Sequence, residues 1–393
     1  MRYLYPDLER FADNKIVLLA GPRQVGKTTV AKAWLESKGG TYLNWDIPED
    51  REDLLMRDFM SRHRHGFLCL DEFHKYARWK SWLKGLYDKN APHLKILVTG
   101  SARLDVFQKG GDSLLGRYEL LRLHPFSIGE KLHGSRMLPP KDFQGWMDLG
   151  MEFDEAMDVW QRLERFSGFP EPYEQQSDEV YRRWSTRRRQ LLIREDLREI
   201  SQIRQISLVE HLSLLLPDRV GSLLSLNALR ENLQVAHDTV SQWLDALERL
   251  YYCFRISPYH EKLSRGLKKE QKLYLWNWTE VTDPAARFEN MIASHLLKSI
   301  HYWNDIGAGT FELCFARTKE KKEIDFVILS DRKPAVLIEV KEFDLEPSQN
   351  FELFGKKPGA ALPRIQIVRS PKVDRIVRGV RIVSAEKFLA ALS

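Results

Sequence analysis

Nine consecutive residues, Gly21-Pro22-Arg23-Gln24-Val25-Gly26-Lys27-Thr28-Thr29, carry the most explicit chemistry in this sequence. They fit GxxxxGK[ST], the loop that wraps the phosphates of a nucleotide. Gly21 and Gly26 let backbone N–H groups converge on phosphate oxygens, and a helix beginning there adds positive potential. Lys27 is placed to reach the β- and γ-phosphates, and Thr28 to ligate Mg²⁺, with Thr29 beside it. Forty residues on, Asp71-Glu72 adds two carboxylates. Asp71 fits a direct or water-mediated hold on Mg²⁺. Glu72 points elsewhere and is the candidate base that orients and deprotonates the attacking water. The ligand expected is therefore Mg-ATP.

These residues need strands to carry them. Lys15–Ala20 is a nearly continuous apolar run, as a strand buried on both faces requires, and it runs straight into the loop. Phe67–Leu70 is a second apolar run, ending at Asp71. A third, Lys95–Val98, ends in Thr99-Gly100-Ser101, and the ends of parallel strands face the ligand. Ser101, or Thr99, is then in position to touch the γ-phosphate or the lytic water. A further strand-like run, Thr41–Trp45, lies between the two motifs in sequence. With the glutamate after the aspartate, that arrangement points to ATPases with a catalytic glutamate rather than to kinases or small GTPases. It also favours ATP over GTP.

Ser113-Leu-Leu-Gly-Arg117-Tyr118 precedes another strand, Glu119–Leu123. Two readings of Arg117 stand: a finger toward a γ-phosphate, its own or a neighbour's in a homo-oligomer, or an ordinary salt-bridged surface arginine. Arg103 is a weaker candidate of the same kind. Together, Gly-Pro-Arg-Gln-Val-Gly-Lys-Thr-Thr, Leu-Asp-Glu-Phe-His-Lys, Thr-Gly-Ser-Ala-Arg and Leu-Leu-Gly-Arg-Tyr-Glu-Leu resemble the AAA+ ATPases of bacteria and archaea. In that family a P-loop domain precedes a winged helix and a C-terminal domain of unassigned role. The resemblance extends through Ser167–Pro172 and Arg194–Leu197. It implies an AAA+ fold with Ser101 as sensor and Arg117 as a finger-like residue.

A second constellation lies near the end. Asp325 opens one apolar strand, and Glu339-Val340-Lys341 closes the next. Residues 339 and 341 share a strand face because side chains alternate. Across a hairpin, Asp325 and Glu339 are placed to hold one divalent metal while Lys341 polarises a water, and Glu289 on the preceding helix adds a carboxylate. Asp-x13-Glu-x-Lys in an α-β-β-β-α-β order resembles the PD-(D/E)xK restriction-endonuclease fold. Glu323-Ile-Asp325 lacks the proline that names the motif. A nuclease fold that has lost its activity, or a half-buried hairpin with cross-strand charges, fits the same residues.

Between the two lies a helix-forming stretch and then a more telling pattern. From Tyr181 to Arg204, eight arginines meet Glu195, Asp196 and Glu199, which suits either a phosphate-tracking face or a solvated helix face. Leu226–Leu233 and Asp238–Leu250 read as two amphipathic helices, followed by a strand-like Tyr251–Tyr259, as in a winged helix. Asp238, Asp245 and Glu248 make its second helix a poor complement to DNA, whereas Lys262, Arg265, Lys268, Lys269 and Lys272 suit a basic wing. DNA and protein partners both remain open for this segment.

The fold class expected is α/β in four parts: a P-loop AAA+ domain with a parallel sheet over 1–132, a helical linker or lid over 133–215, a winged helix over 216–275, and a restriction-endonuclease-like domain over 276–393. The chain's 393 residues are too many for one ordinary core. No apolar run reaches the 18 or so residues of a membrane helix, and the start has no secretory pattern. Cys69, Cys253 and Cys314 are too scattered for a zinc site or a disulfide framework. A cytoplasmic location follows as the expectation. The net charge of +6, from 61 basic against 55 acidic residues, permits nucleic acid as a partner without establishing it.

Overall fold

The computed structural model describes residues 2–90, 93–100, 114–134, 143–147, 156–201, 203–259, 271–354 and 362–392. It divides into two compact units: Met1–His124 with Arg249–Tyr251, and Pro125–Glu248 with Tyr252–Ser393.

The first unit is built on a five-stranded sheet. Its strands are β1 (Ile16–Ala20), β2 (Thr41–Asn44), β3 (Gly66–Asp71), β4 (Leu94–Thr99) and β5 (Tyr118–Arg122), in the spatial order β2-β3-β4-β1-β5. All neighbours are parallel. β1 lies between β4 and β5, and all five of its residues are buried, which explains its unbroken apolar run. Ile16, Leu18 and Ala20 share one face with Leu68, Leu70, Ile96 and Val98, packed against Phe73, Trp79, Leu83 and Leu86. Because every strand runs the same way, the C-terminal ends of β1, β3 and β4 come together at one edge. That edge presents residues 21 to 29, Asp71 and Thr99.

The second unit joins helices to an eight-stranded mixed sheet. Its strands are β6 (Cys253–Pro258), β7 (Lys272–Leu275), β8 (Phe311–Arg317), β9 (Glu323–Ser330), β10 (Lys333–Lys341), β11 (Arg364–Val368), β12 (Asp374–Val377) and β13 (Val380–Ser384). Their order is β12-β13-β11-β10-β9-β8-β6-β7. Helices Leu226–Leu233 and His237–Arg249 precede the antiparallel β6–β7 pair, and β6 falls within the strand-like run Tyr251–Tyr259. The hairpin is not a separate layer, however. Ser257 and Pro258 pair in parallel with Cys314 and Phe315, so the sheet runs unbroken across the expected boundary at 275/276. β12, β13 and the last helix, Ala385–Ala391, extend the core beyond the order read from the sequence.

A 22-residue helix, Pro284–Asp305, organises this unit. Asp283 caps its start by accepting from the Ala286 N–H at 2.7 Å, and Pro284 takes the first turn, where no N–H is needed. Lys298 on this helix is 2% exposed and pairs with Glu130 at 2.5 Å. Its ammonium also donates to the Pro125 carbonyl at 3.0 Å and the Ser127 hydroxyl at 2.8 Å. Removing one member of such a buried pair strands the other charge. Lys298→Met is expected to destabilise this unit by about 3–5 kcal/mol in urea unfolding, and Lys298→Met/Glu130→Leu to recover most of that loss. Equal losses in the single and double variants would show that the pair is not coupled.

Candidate functional site

The phosphate loop has the backbone its sequence demands. Gly21 sits at φ 149°, and a Cβ there would lie 2.3 Å from the Leu123 carbonyl oxygen. Gln24 at φ 64° and Gly26 at φ 98° add left-handed positions, so consecutive N–H groups turn toward one concavity. Gly26 leads directly into helix Lys27–Glu36, whose first N–H groups open on the same space. Pro22 and Val25 are buried, Arg23 is half-buried, and Thr28 and Thr29 are exposed. From outside, Arg2 donates to the Val25 carbonyl at 2.7 Å and also to the His124 carbonyl, pinning the loop to the end of β5.

Lys27 is buried, and its ammonium donates to the carbonyls of Gly21 at 3.0 Å and Pro22 at 2.9 Å. It spans the loop that phosphates would fill. Across from it, Asp71 is 2% exposed and accepts from three hydroxyls. Thr28 donates at 2.9 Å, Tyr42 at 2.5 Å, and Thr99 from the end of β4. Burial, then the carboxylate of Asp71, pushes the Tyr42 phenol above its ordinary value, so it stays a neutral donor. Thr28 and Asp71 are hard oxygen donors already in contact, a pair that fits Mg²⁺.

Glu72 follows in left-handed backbone, φ 54°, an uncommon state for a residue with a side chain. Its carboxylate lies 3.7 Å from both Lys75 and His74. Burial raises its pKa, opposed by the positive charges of Lys27 and Lys75. A raised carboxylate pKa suits a residue that takes up a proton.

Two other expectations fare differently. Ser101, the expected sensor, and Arg103 lie outside the described residues. Thr99, the alternative to Ser101, donates to Asp71. Arg117 needs correction as a finger toward its own phosphate. Its backbone carbonyl accepts from Ile16 N at 2.9 Å, at the start of β1, whereas the loop leaves from that strand's other end. Five residues of strand separate the two, about 16 Å. The guanidinium is held by Asp88 at 2.7 Å, the surface ion pair the sequence left open. No oligomer rests on it.

In the second unit, Asp325 and Glu339 do lie on neighbouring antiparallel strands, with Glu289 nearby, but the expected metal site is not formed. Among the described residues, no group of three or more His, Cys, Asp or Glu side chains is arranged to hold a metal ion. Asp325 accepts from the Val340 N–H at 2.9 Å. Glu339, 1% exposed, binds Lys341 at 2.9 Å and accepts from Ser348 and Asn350, each at 3.1 Å. Lys341 is thus Glu339's counter-ion rather than a residue aimed at water. Lys272 from β7 enters the remaining acids, 2.6 Å from Glu323, 3.2 Å from Glu289 and 3.6 Å from Asp325. Burial, then Asp325, pushes the Glu289 carboxyl up to about 7. Lys272 therefore does not belong to a basic wing; the sequence signal for its place is a lone lysine opening the apolar Lys-Leu-Tyr-Leu strand.

The same unit carries an open cleft of about 630 Å³. Arg165, Arg182, Arg287 and Arg369 line it, with Tyr181 and the acids Glu164 and Asp178. Arg165 pairs with Asp178 at 2.6 Å and Arg369 with Glu164 at 2.8 Å.

Comparison with known proteins follows this division. Residues 13–132 match the family model described as AAA domain. Residues 158–278 and 285–388 match two families described as domains of unknown function, DUF8612 and DUF4143. An uncharacterized protein of Mycobacterium tuberculosis is 23% identical over 260 residues, which are 66% of this chain and 54% of that protein. One from Methanocaldococcus jannaschii is 24% identical over 299 residues, 68% of this chain and 62% of its own. One from Haemophilus influenzae is 20% identical over 351 residues, 81% of each. The chain thus spans little more than half of the mycobacterial and archaeal relatives. Among solved structures, the Aeropyrum pernix ORC1 protein in complex with DNA overlaps at TM-score 0.31 and 16% identity, over 75% of this chain and 93% of its own. AMPPCP-bound DnaA from Aquifex aeolicus overlaps at TM-score 0.30 and 14% identity, over 62% and 86%. Overlaps this low add nothing to the assignment, which stands on the sequence match and the loop geometry. Residues 13–132 are thus similar to AAA domains and carry a phosphate-loop geometry, joined to segments that match families with no assigned function.

Proposed function

We propose that this chain binds Mg-ATP and hydrolyses it at residues 21 to 29, Asp71 and Glu72, and that nucleotide state governs nucleic-acid binding by the second unit. The observation that carries the first part is Asp71, buried and accepting from Thr28, with the buried Lys27 in the loop and the half-buried Glu72 next in sequence. Lys27 would exchange two backbone carbonyls for phosphate oxygens, with no new charge to bury. Thr28 and Asp71 would hold Mg²⁺, whose contribution is to draw charge from the phosphates. Glu72 orients the water and accepts its proton, and the hydroxyls of Tyr42 and Thr99 hold Asp71 in place. Measuring ATP turnover and fluorescent-nucleotide binding tests this directly. Absence of binding at any Mg²⁺ concentration would sink it.

The arginine-lined cleft supports the nucleic-acid part. Two of its four arginines are paired with acids, while Arg182 and Arg287 meet no carboxylate within 4 Å among the described residues. The second helix of the helix-turn-helix is a weaker candidate. Its Asp245 and Glu248 are both taken by Arg255 at 2.6 Å, which makes that face an internal ion-pair network rather than a phosphate receiver. The two helices and the β6–β7 hairpin suit a winged-helix module with a protein partner. Arg182→Glu/Arg287→Glu is expected to weaken oligonucleotide binding at least about tenfold and to lower the salt slope by about 2, with ATP turnover unchanged. An unchanged affinity would remove the cleft from the proposal. DNA cleavage is not part of it: Asp325 accepts from the Val340 N–H, Lys341 holds one oxygen of Glu339, and Lys272 lies against Glu289.

A further inference from the structure

We infer that the Lys272 ammonium is the permanent counter-ion of the acidic centre in the second unit. It stands among Glu289, Glu323 and Asp325, where a nuclease-type fold would seat a divalent cation, so this core works without metal. This inference is independent of the ATPase reading.

Five contacts define the arrangement. The ammonium lies 2.6 Å from Glu323, 3.2 Å from Glu289 and 3.6 Å from Asp325, and the Lys272 side chain is only 3% exposed. Tyr274, two residues along the same strand face, donates to Glu289 at 2.7 Å. Arg317 holds the other side of Glu323 at 3.0 Å. Each carboxylate has a cation or donor from the protein itself, as buried charges require.

Lys272 is also fixed where it stands. Its residue pairs with Ile256 in the β6–β7 ladder and bridges to Leu223 on the other side. Gly221 closes over Glu289 so tightly that a Cβ there would lie 3.2 Å from the Glu289 Oε2 atom. An ammonium held this way repels a divalent ion and uses the oxygen atoms the ion would need. A swinging plug would need a side chain able to leave. Here backbone pairing on both edges fixes where the side chain starts, and the three carboxylates hold its ammonium.

The test is Mn²⁺ binding to the full chain without nucleotide, read by electron paramagnetic resonance, together with thermal melting with and without Mn²⁺. Wild type is expected to bind no Mn²⁺ at this centre and to melt at the same temperature with and without it. Lys272→Ala is expected to lose several degrees of Tm, to regain part of it with Mn²⁺, and to bind one ion per chain. Asp325→Asn in the Lys272→Ala background is expected to abolish that binding. Mn²⁺ bound by wild type and lost in Asp325→Asn alone would overturn the inference, and this arm stands even if Lys272→Ala does not fold. Wild-type melting in Lys272→Met would overturn it too, since a counter-ion cannot be removed from three clustered, half-buried acids at no cost.

Discussion

Lys27→Ala is expected to abolish ATP turnover and nucleotide binding together, whereas Glu72→Gln is expected to keep binding and lose turnover. The split follows from where each charge sits. Lys27 is buried within the loop and already satisfies two carbonyls, so its ammonium is preorganised for the phosphates in ground and transition states alike. Its removal leaves the loop carbonyls facing a polyanion with no cation between them. Glu72 follows β3 in left-handed backbone, with Lys75 and His74 each 3.7 Å from its carboxylate. In Glu72→Gln the amide would retain the shape and the hydrogen-bonding reach of the carboxylate but accept no proton. A general base contributes about 10²–10⁴ in rate, so kcat should fall by about that factor while the nucleotide Kd stays within about twofold. The measurement is steady-state phosphate release paired with equilibrium binding of a fluorescent ATP analogue. If Glu72→Gln turned over like wild type, the base would have to be another residue. Equal loss of binding in both variants would instead make Glu72 part of the nucleotide pocket.

What could be read from the sequence divides by how far the interacting residues lie apart. The phosphate loop needs only nine contiguous residues and the strand before them, so its chemistry was legible at once. Asp71 was legible as well, because an apolar run ending in an acid marks a strand's C-terminal end. Its hydroxyl partners Tyr42 and Thr99 were not, since they come from two other strands whose adjacency depends on the order β2-β3-β4. Arg117 misleads as a finger for a reason the sequence itself contains. It precedes its strand, and in a parallel sheet the starts of the strands lie opposite the ligand edge. The acidic centre failed differently. Asp325, Glu339 and Lys341 sit on adjacent strands as their spacing implied, but the deciding residue, Lys272, enters from a hairpin far up the chain. Only the pairing of β6 with β8 brings it there. A cation that neutralises a cluster leaves no local pattern, because its partners Glu289, Glu323 and Asp325 are set by separate elements.

Acid should loosen the second unit through a single histidine. His295 lies on the long helix Pro284–Asp305, one turn before Lys298, and is 3% exposed. Its Nδ1 lies 2.8 Å from the Met291 carbonyl, which only accepts, so Nδ1 carries the proton. Nε2 is then the acceptor for the Ile128 N–H at 3.4 Å. A proton added at Nε2 would cancel that bond and place a charge in the core. Burial, with Lys298 adding repulsion, pushes the imidazole down to about 3. In the unfolded chain it titrates near 6.5. The folded state therefore binds fewer protons between those values, and stability is full above pH 6.5 and falls as pH drops toward 3. The slope is about 1.4 kcal/mol per pH unit, which gives a loss of about 2 kcal/mol at pH 5. Urea unfolding of wild type and His295→Gln at pH 7 and pH 5 isolates this contribution. The variant is expected to start less stable at pH 7 and to lose about 2 kcal/mol less on acidification; parallel losses would assign the acid sensitivity to other groups. Under the proposed function, the consequence would reach ATP-dependent behaviour through chain connectivity. His295 and Lys298 together fasten residues 125 to 130, the stretch that follows directly on the nucleotide-binding unit. If nucleotide state is carried along that stretch, acid should uncouple the second unit from ATP before it abolishes ATP binding.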